Sequence, residues 1–310
     1  MGYEDRFVGC LLGLAIGDAL GMPVEGWSAE AIQARCGRLA KFLPAPGRGL
    51  MAGQFTDDTQ MAIYLAQSIV DCGGVNPEQV AQAWVDWLHS GDVRGIGRST
   101  HLSLRRLASG TPWRESGQRG EYAAGNGAAM RIAPVGLVGC LDLERLRGDV
   151  HDVSVITHAH PEAVAGAQAV AYAVVQLATR RAEPSAILAD TLAFIGPGEV
   201  ADNLRRAGEL LAVGTSTSEA LARLGNTGWV VHTIASSFFC FLKTVEDFEA
   251  TVVAAVMGGG DTDTIAAIAG ALSGAHNSAS GIPARWLEGV EDRERLTELA
   301  RGLHRLSGLH

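Results

Sequence analysis

Trp229-Val230-Val231-His232-Thr233-Ile234-Ala235-Ser236-Ser237-Phe238-Phe239-Cys240-Phe241-Leu242 is apolar nearly all round. A helix with that pattern has no face to offer water, so it is expected at the centre of the fold. It reads as the longest apolar run of the chain and is too short to span a bilayer. Helical periodicity also dominates around it. Phe7, Leu11, Leu14 and Ala15 recur at three- and four-residue steps and form one apolar face. Asn76-Pro77-Glu78-Gln79 is a helix start, with a capping Asn, Pro at the first helical position, then an acid. Val80, Ala83, Trp84, Trp87 and Leu88 follow as its buried stripe. Further helices are expected over 161–178, 199–213, 246–256 and 264–275. No period-two run of β-branched residues is flanked by hairpin turns. The Pro- and Gly-rich stretch 44–49 and the segment 109–127 read as loops, and no domain linker is evident. The expectation is one all-α domain over residues 1–310.

Composition agrees with a packed core. Of 310 residues 47% are hydrophobic and 19% charged, while aromatics are only 6% and glycines number 39. Closely packed helices with small residues at their contacts would use that mixture. A net charge of −9 argues against a general nucleic-acid or membrane-surface binder. Five scattered cysteines (Cys10, Cys36, Cys72, Cys140 and Cys240) contain no CxxC pair, so reduced thiols in a cytoplasm are expected. The first residues lack a basic stretch followed by an apolar run, and Arg6 breaks the myristoylation pattern.

The chemistry concentrates in two short clusters near opposite ends, Thr56-Asp57-Asp58-Thr59 and Asp261-Thr262-Asp263-Thr264. Each lies where a loop enters a helix. Taken singly, each reads as a cap: Thr56 as N-cap, acids in the first turn facing the helix dipole. Together they offer about six hard oxygen donors, the set that a pair of Mg²⁺ or Mn²⁺ ions takes. Gly258-Gly259-Gly260 before the second cluster allows backbone angles and close packing that a cap does not need. Three further elements stand out. Gly17 to Glu25 is a glycine-rich helix end closed by Pro23, with Asp18 expected to bond helix-end backbone and hold the loop that carries Glu25. Gly125-Asn126-Gly127 lets backbone amides approach an anion or sugar, and the following Arg131 is expected to pair with an internal carboxylate. Thr157-His158-Ala159-His160 brings a histidine to a helix start, where it could bond a ligand.

These segments together resemble the ADP-ribosylglycohydrolase family, which includes the enzyme that reactivates dinitrogenase reductase and the hydrolases of ADP-ribosyl-arginine and ADP-ribosyl-serine. Five motifs carry the resemblance over nearly the whole chain: GCLLGLAIGDALGMPVE (9–25), GQFTDDTQMA (53–62), GNGAAMRIAPVGL (125–137), THAHPEAV (157–164) and GGDTDTIAAIAGALSGAHNSASGIP (259–283). The resemblance implies an all-α fold, a compact orthogonal helical bundle, with a dinuclear Mg²⁺ or Mn²⁺ centre held by Thr56, Asp57, Asp58, Asp261, Asp263 and Thr264. It implies that Gly125, Asn126, Gly127 and His158 contact ADP-ribose, and that Glu25 is a loop glutamate that gates the site. The implied reaction is hydrolysis at C1″ of an ADP-ribosylated protein, small molecule or nucleobase, arginine-linked by preference, with ADP-ribose released and Glu25 or Asp57 as base. A metal-keeping sensor or a two-metal phosphohydrolase would use the same donors. Asp92 lies roughly where arginine-directed members carry an acid on the loop after their third helix. Ala124 stands where some serine-directed members have an aromatic, and Tyr122 is out of register with it, which leaves adenine stacking unassigned. A monomer without membrane partners is expected. Only Lys41 and Lys243 stand against the arginines, a bias of GC-rich bacterial genomes.

Overall fold

The computed structural model describes residues 2–120, 123–139 and 142–309. Cys140 and Tyr122 lie outside them. Among the described residues every regular element is a helix, and β-structure is limited to four isolated bridges. The all-helical expectation is met.

Helix starts follow the local chemistry. Asn76 Oδ1 accepts the amides of Glu78 and Gln79 at 3.1 and 3.3 Å, and Pro77 opens the helix Pro77–His89. Pro161–Thr179, Glu199–Ala212, Phe248–Met257 and Thr262–Asn277 form within a few residues of their expected bounds. The helix Val230–Lys243 is buried at every position from Thr233 to Phe241, which makes it the interior helix its pattern required. Arg98–Ala108, Leu143–Val155, Pro184–Ile195 and Arg293–Ser307 were not anticipated. Several of these lie on the outside and keep a polar face, so their apolar signal is thin. Asp142 nevertheless caps one of them, accepting the amides of Glu144 and Arg145 at 3.0 Å each. The stretch 44–49 is a surface loop with a 3-10 turn at Pro46–Arg48, and 109–127 carries the short helix Trp113–Ser116.

One seam orders the molecule. In the N-terminal helix Tyr3–Gly21, Gly9, Gly13, Gly17 and Gly21 recur every four residues and so share one face. They lie antiparallel on the helix Thr262–Asn277. A Cβ added at these four would come within 2.0–2.4 Å of the carbonyl oxygens of Gly274, Gly270, Ala266 and Thr262. The two backbones therefore touch, which only glycine permits. The start of the chain is locked to residues near its end, and both acid clusters are brought to one place.

The longest apolar helix is this N-terminal one rather than Trp229–Leu242. Tyr3–Val24 has a mean hydropathy of 1.8 and a length that could cross a membrane, yet 94% of that window is buried inside the fold. Its glycines and alanines, small enough for helix contact, also hid its hydrophobic weight.

Candidate active site

The first acid cluster opens the helix Asp57–Cys72. Thr56 holds the N-cap position, but its side chain makes no capping bond. The cap comes from elsewhere: Asp18, fully buried in the N-terminal helix, accepts the amides of Thr56 and Thr59 at 3.0 and 3.1 Å. It also accepts both hydroxyls, from Thr56 at 2.8 Å and Thr59 at 2.6 Å. Asp18 thus holds the helix that carries Asp57 and Asp58, not the Glu25 loop assigned to it from sequence. A hydroxyl has one hydrogen, and Asp18 takes that of Thr56. The shorter bond is to Asp18; Asp58 Oδ2 lies farther from Thr56 Oγ1, at 3.5 Å. Asp58 Oδ1 is buried and has no hydrogen-bond partner within bonding geometry among the described residues, though the Thr264 side chain is near enough to Asp58 to favour its charged form.

The second cluster is set by the three glycines before it. Gly259 and Gly260 take φ of +70° and +74°, in the left-handed region that glycine favours. Gly260 exchanges backbone bonds with the Glu25 loop, its N–H donating to Trp27 O and its carbonyl accepting from Gly26, both at 2.8 Å. Asp261 N–H donates to Asn226 O at 2.7 Å. One glycine turn therefore clamps together Glu25, Asp261 and the loop at 226–228. Carboxylate oxygens of Glu25, Asp261 and Asp263 lie within 4.8 Å of one another. With Asp57 and Asp58 they line a cavity of about 400 Å³.

Electrostatics join the two clusters. Burial pushes Asp57 up to about 7, with the charge of Asp18 adding to it. Burial also lifts Asp58 well above the usual carboxylate range, followed by the charges of Asp18, Asp57 and Asp261. Asp263 is raised by burial, then by Asp261 and Asp58. Asp261 is raised by burial and held back by bonds that include the Asn126 amide. Carboxylates so crowded resist ionisation unless positive charge is supplied.

Asn126 and His158 complete the wall. The Asn126 amide donates to Asp261 Oδ2 at 2.5 Å and to Thr233 Oγ1 at 2.9 Å, so its Nδ2 orients an acid of the second cluster. Gly127 must be glycine, because a Cβ there would lie 2.5 Å from His158 Cε1. His158 is buried and pushed down to about 3 by burial and then by Arg131, so its ring is neutral. Among the described residues Arg131 does not form the expected ion pair. It is fully buried over the Trp84 ring at 4.0 Å and donates to Thr157 Oγ1 and Met61 Sδ. Burial pushes its guanidinium down to about 9, opposed by Asp57 and Asp58. Glu25 stands at the mouth in an ion pair with Arg48 at 2.6 Å.

Asp92 is not brought to this cavity. Its carboxylate forms a two-point pair with Arg94 at 2.7 and 2.8 Å, and Arg94 also holds Glu291. Sequence reasoning missed several lining residues: Gly95, Ser99 and Thr100 on one side, Asn226 to Gly228 on the other. Gly225-Asn226-Thr227-Gly228 echoes the Gly-Asn-Gly turn and was the available signal. Asn126 N–H donates to Gly228 O at 3.0 Å, and the neighbouring Trp229 leaves its side chain partly exposed beside a second cavity that shares Gly125 and Gly228.

A helical body with a clustered-carboxylate cavity at one end of the paired helices Tyr3–Gly21 and Thr262–Asn277 is the architecture of a hydrolase class acting on glycosidic bonds, and comparison with known proteins identifies it. The sequence profile of the ADP-ribosylglycohydrolase family matches residues 1–310, and the chain belongs to that family. An uncharacterized protein of Archaeoglobus fulgidus is 37% identical over 98% of this chain and 97% of its own. The ADP-ribosylarginine hydrolase Tri1 of Pseudomonas putida is 32% identical over 96% of this chain and 78% of its own. A solved ADP-ribosylglycohydrolase-related protein complex superposes with a TM-score of 0.77 at 28% identity, covering 98% of this chain and 99% of that one.

Proposed function

We propose that this protein removes ADP-ribose from a modified acceptor, arginine-linked by preference, by cation-dependent hydrolysis at C1″. The observation that carries the reading is Asp58 Oδ1, a buried carboxylate oxygen that lies among other buried acids and has no hydrogen-bond partner among the described residues. Such an atom is costly unless a cation meets it. The donor set fits: Thr56, Asp57 and Asp58 from one cluster and Asp261, Asp263 and Thr264 from the other would hold two Mg²⁺ or Mn²⁺ ions through oxygen alone. Thr56 offers lone pairs because Asp18 has taken its hydrogen. When bound, such ions supply positive charge beside the sugar and a more acidic water.

The chain's own groups then account for the rest. Buried carboxylates next to the sugar balance positive charge as C1″ loses its leaving group. Glu25 is the proposed base. Arg48 holds one of its oxygens, which leaves the other to take the proton of the attacking water. The water oxygen bonds to C1″, the bond from C1″ to the acceptor breaks with its electron pair going to the acceptor, and the proton taken by Glu25 passes on to the acceptor, which restores the carboxylate. Gly125, Asn126, Gly127 and His158 would hold the nucleotide side of the ligand. The arginine preference rests on the likeness to Tri1, with Asp92 too firmly paired to Arg94 to be its main reader.

Parallel incubation with ADP-ribosylated arginine, serine and DNA base, read by product mass, tests this. Free ADP-ribose, most of it from the arginine substrate, is expected. AMP as the product would mean cleavage of the pyrophosphate and would overturn the reading.

A further inference from the structure

Arg131, Thr157 and His158 form a buried chain that ends on the cavity wall. Arg131 Nη2 donates to Thr157 Oγ1, and Thr157 Oγ1 lies 2.8 Å from His158 Nδ1. Relative exposure is zero for Arg131 and Thr157 and 3% for His158, so no bulk water competes for these bonds. The backbone at Thr157 is pinned as well, its carbonyl accepting from Ser103 Oγ at 3.1 Å and from the Gln118 amide at 2.9 Å.

At the Thr157 hydroxyl the donors and acceptors match in only one way. A guanidinium only donates, so Thr157 Oγ1 must accept from Arg131. If His158 Nδ1 also donated to Oγ1, the Thr157 hydroxyl hydrogen would be buried without an acceptor. If the hydroxyl donates to Nδ1, both the Thr157 hydroxyl and His158 Nδ1 are satisfied. Nδ1 is then an acceptor, and the neutral ring carries its hydrogen on Nε2. That nitrogen has no partner among the described residues. It faces the Gly125–Gly127 turn, where a Cβ at Gly125 would lie 3.3 Å from it.

We propose that Arg131 and Thr157 are positioning residues that fix His158 as a neutral Nε2–H donor, aimed at an acceptor oxygen of the ligand beside Gly125 and Gly127. His158 is then neither a base nor a metal ligand through Nε2. Its role is to bond an oxygen such as that of a phosphoryl group. The ligand half of this inference rests on the ADP-ribose reading, whereas the tautomer belongs to the empty protein and stands apart from any activity.

Imidazole ¹⁵N NMR of the full chain without ligand tests the tautomer. His158 is expected to show a protonated Nε2 and an unprotonated Nδ1 at neutral pH, with Nδ1 shifted upfield by its bond from Thr157. A protonated Nδ1, or a charged ring, overturns the proposal whatever the enzyme does. Thr157→Val should move the Nδ1 resonance downfield and weaken ADP-ribose binding about tenfold, roughly the value of one hydrogen-bonded contact. Thr157→Ser should restore both. An Nδ1 resonance unchanged in Thr157→Val would also overturn it. Should Thr157→Val fail to fold, the wild-type and Thr157→Ser spectra decide.

Discussion

Asp58 and its neighbours carry more negative charge in the interior than the described residues offset. Asp18 and Asp57 reach about 6 and about 7 because burial favours their neutral forms. Since both values are raised, their contribution to stability is complete below about pH 4, the unfolded carboxylate value, and is lost as pH rises through about 7. In the presence of a chelator the melting temperature is therefore expected to fall across that interval. Saturating Mg²⁺ or Mn²⁺ at neutral pH should recover it, since a ligand of the folded state alone stabilises it. A chelated protein whose melting temperature rises from about pH 4 to about pH 7 would contradict the crowded-acid picture. Glu25→Gln gives the second residue-scale prediction: turnover falls by about 100-fold, as loss of a general base does, while ADP-ribose binding by calorimetry stays near wild type. Loss of binding with unchanged turnover would move Glu25 out of the base role. The acids themselves were legible because each cluster is local in sequence. What orients them was not, since Asp18 and Thr56 are 38 positions apart and Asn126 and Asp261 are 135 apart.

At the scale of elements the glycine seam places the site. A methyl group at Gly17 would fall 2.0 Å from Ala266 O, against backbone that cannot turn aside. Gly17→Ala is expected to cost about 2 kcal/mol or more by overpacking, and to loosen Asp18 one residue on. Chemical denaturation checks this, with Ala15→Gly in the same helix as a control for altered propensity. A Gly17→Ala protein as stable as wild type would show that the helices do not need backbone contact. Caps and apolar periods revealed the helices Pro77–His89 and Pro161–Thr179, because those signals act within one turn. The four-residue glycine step was equally visible in the sequence. Its partner was not, because small residues say that a helix packs closely without saying against which other helix. The same limit explains Arg131, where a buried guanidinium chose Trp84, Thr157 and Met61 over the carboxylate that charge alone suggests.

For the whole molecule, the N-terminal helix Tyr3–Gly21 and the helix Thr262–Asn277 form one antiparallel pair, and the cavity lies where the loops at one end of that pair meet. Glu25, the first cluster and the second cluster are thus separate in sequence and adjacent in space, which makes the site depend on the integrity of the complete fold. Family membership extends over residues 1–310, in keeping with a site assembled from both ends. The central claim is that the two clusters act as one cation-dependent hydrolytic centre. Titrating the chelated protein with Mn²⁺ while recording ADP-ribose release from an ADP-ribosyl-arginine substrate tests it most directly. Release should recover in wild type and stay absent in both Asp58→Ala and Asp263→Ala. Full release in the presence of excess chelator, or in either variant, would contradict it.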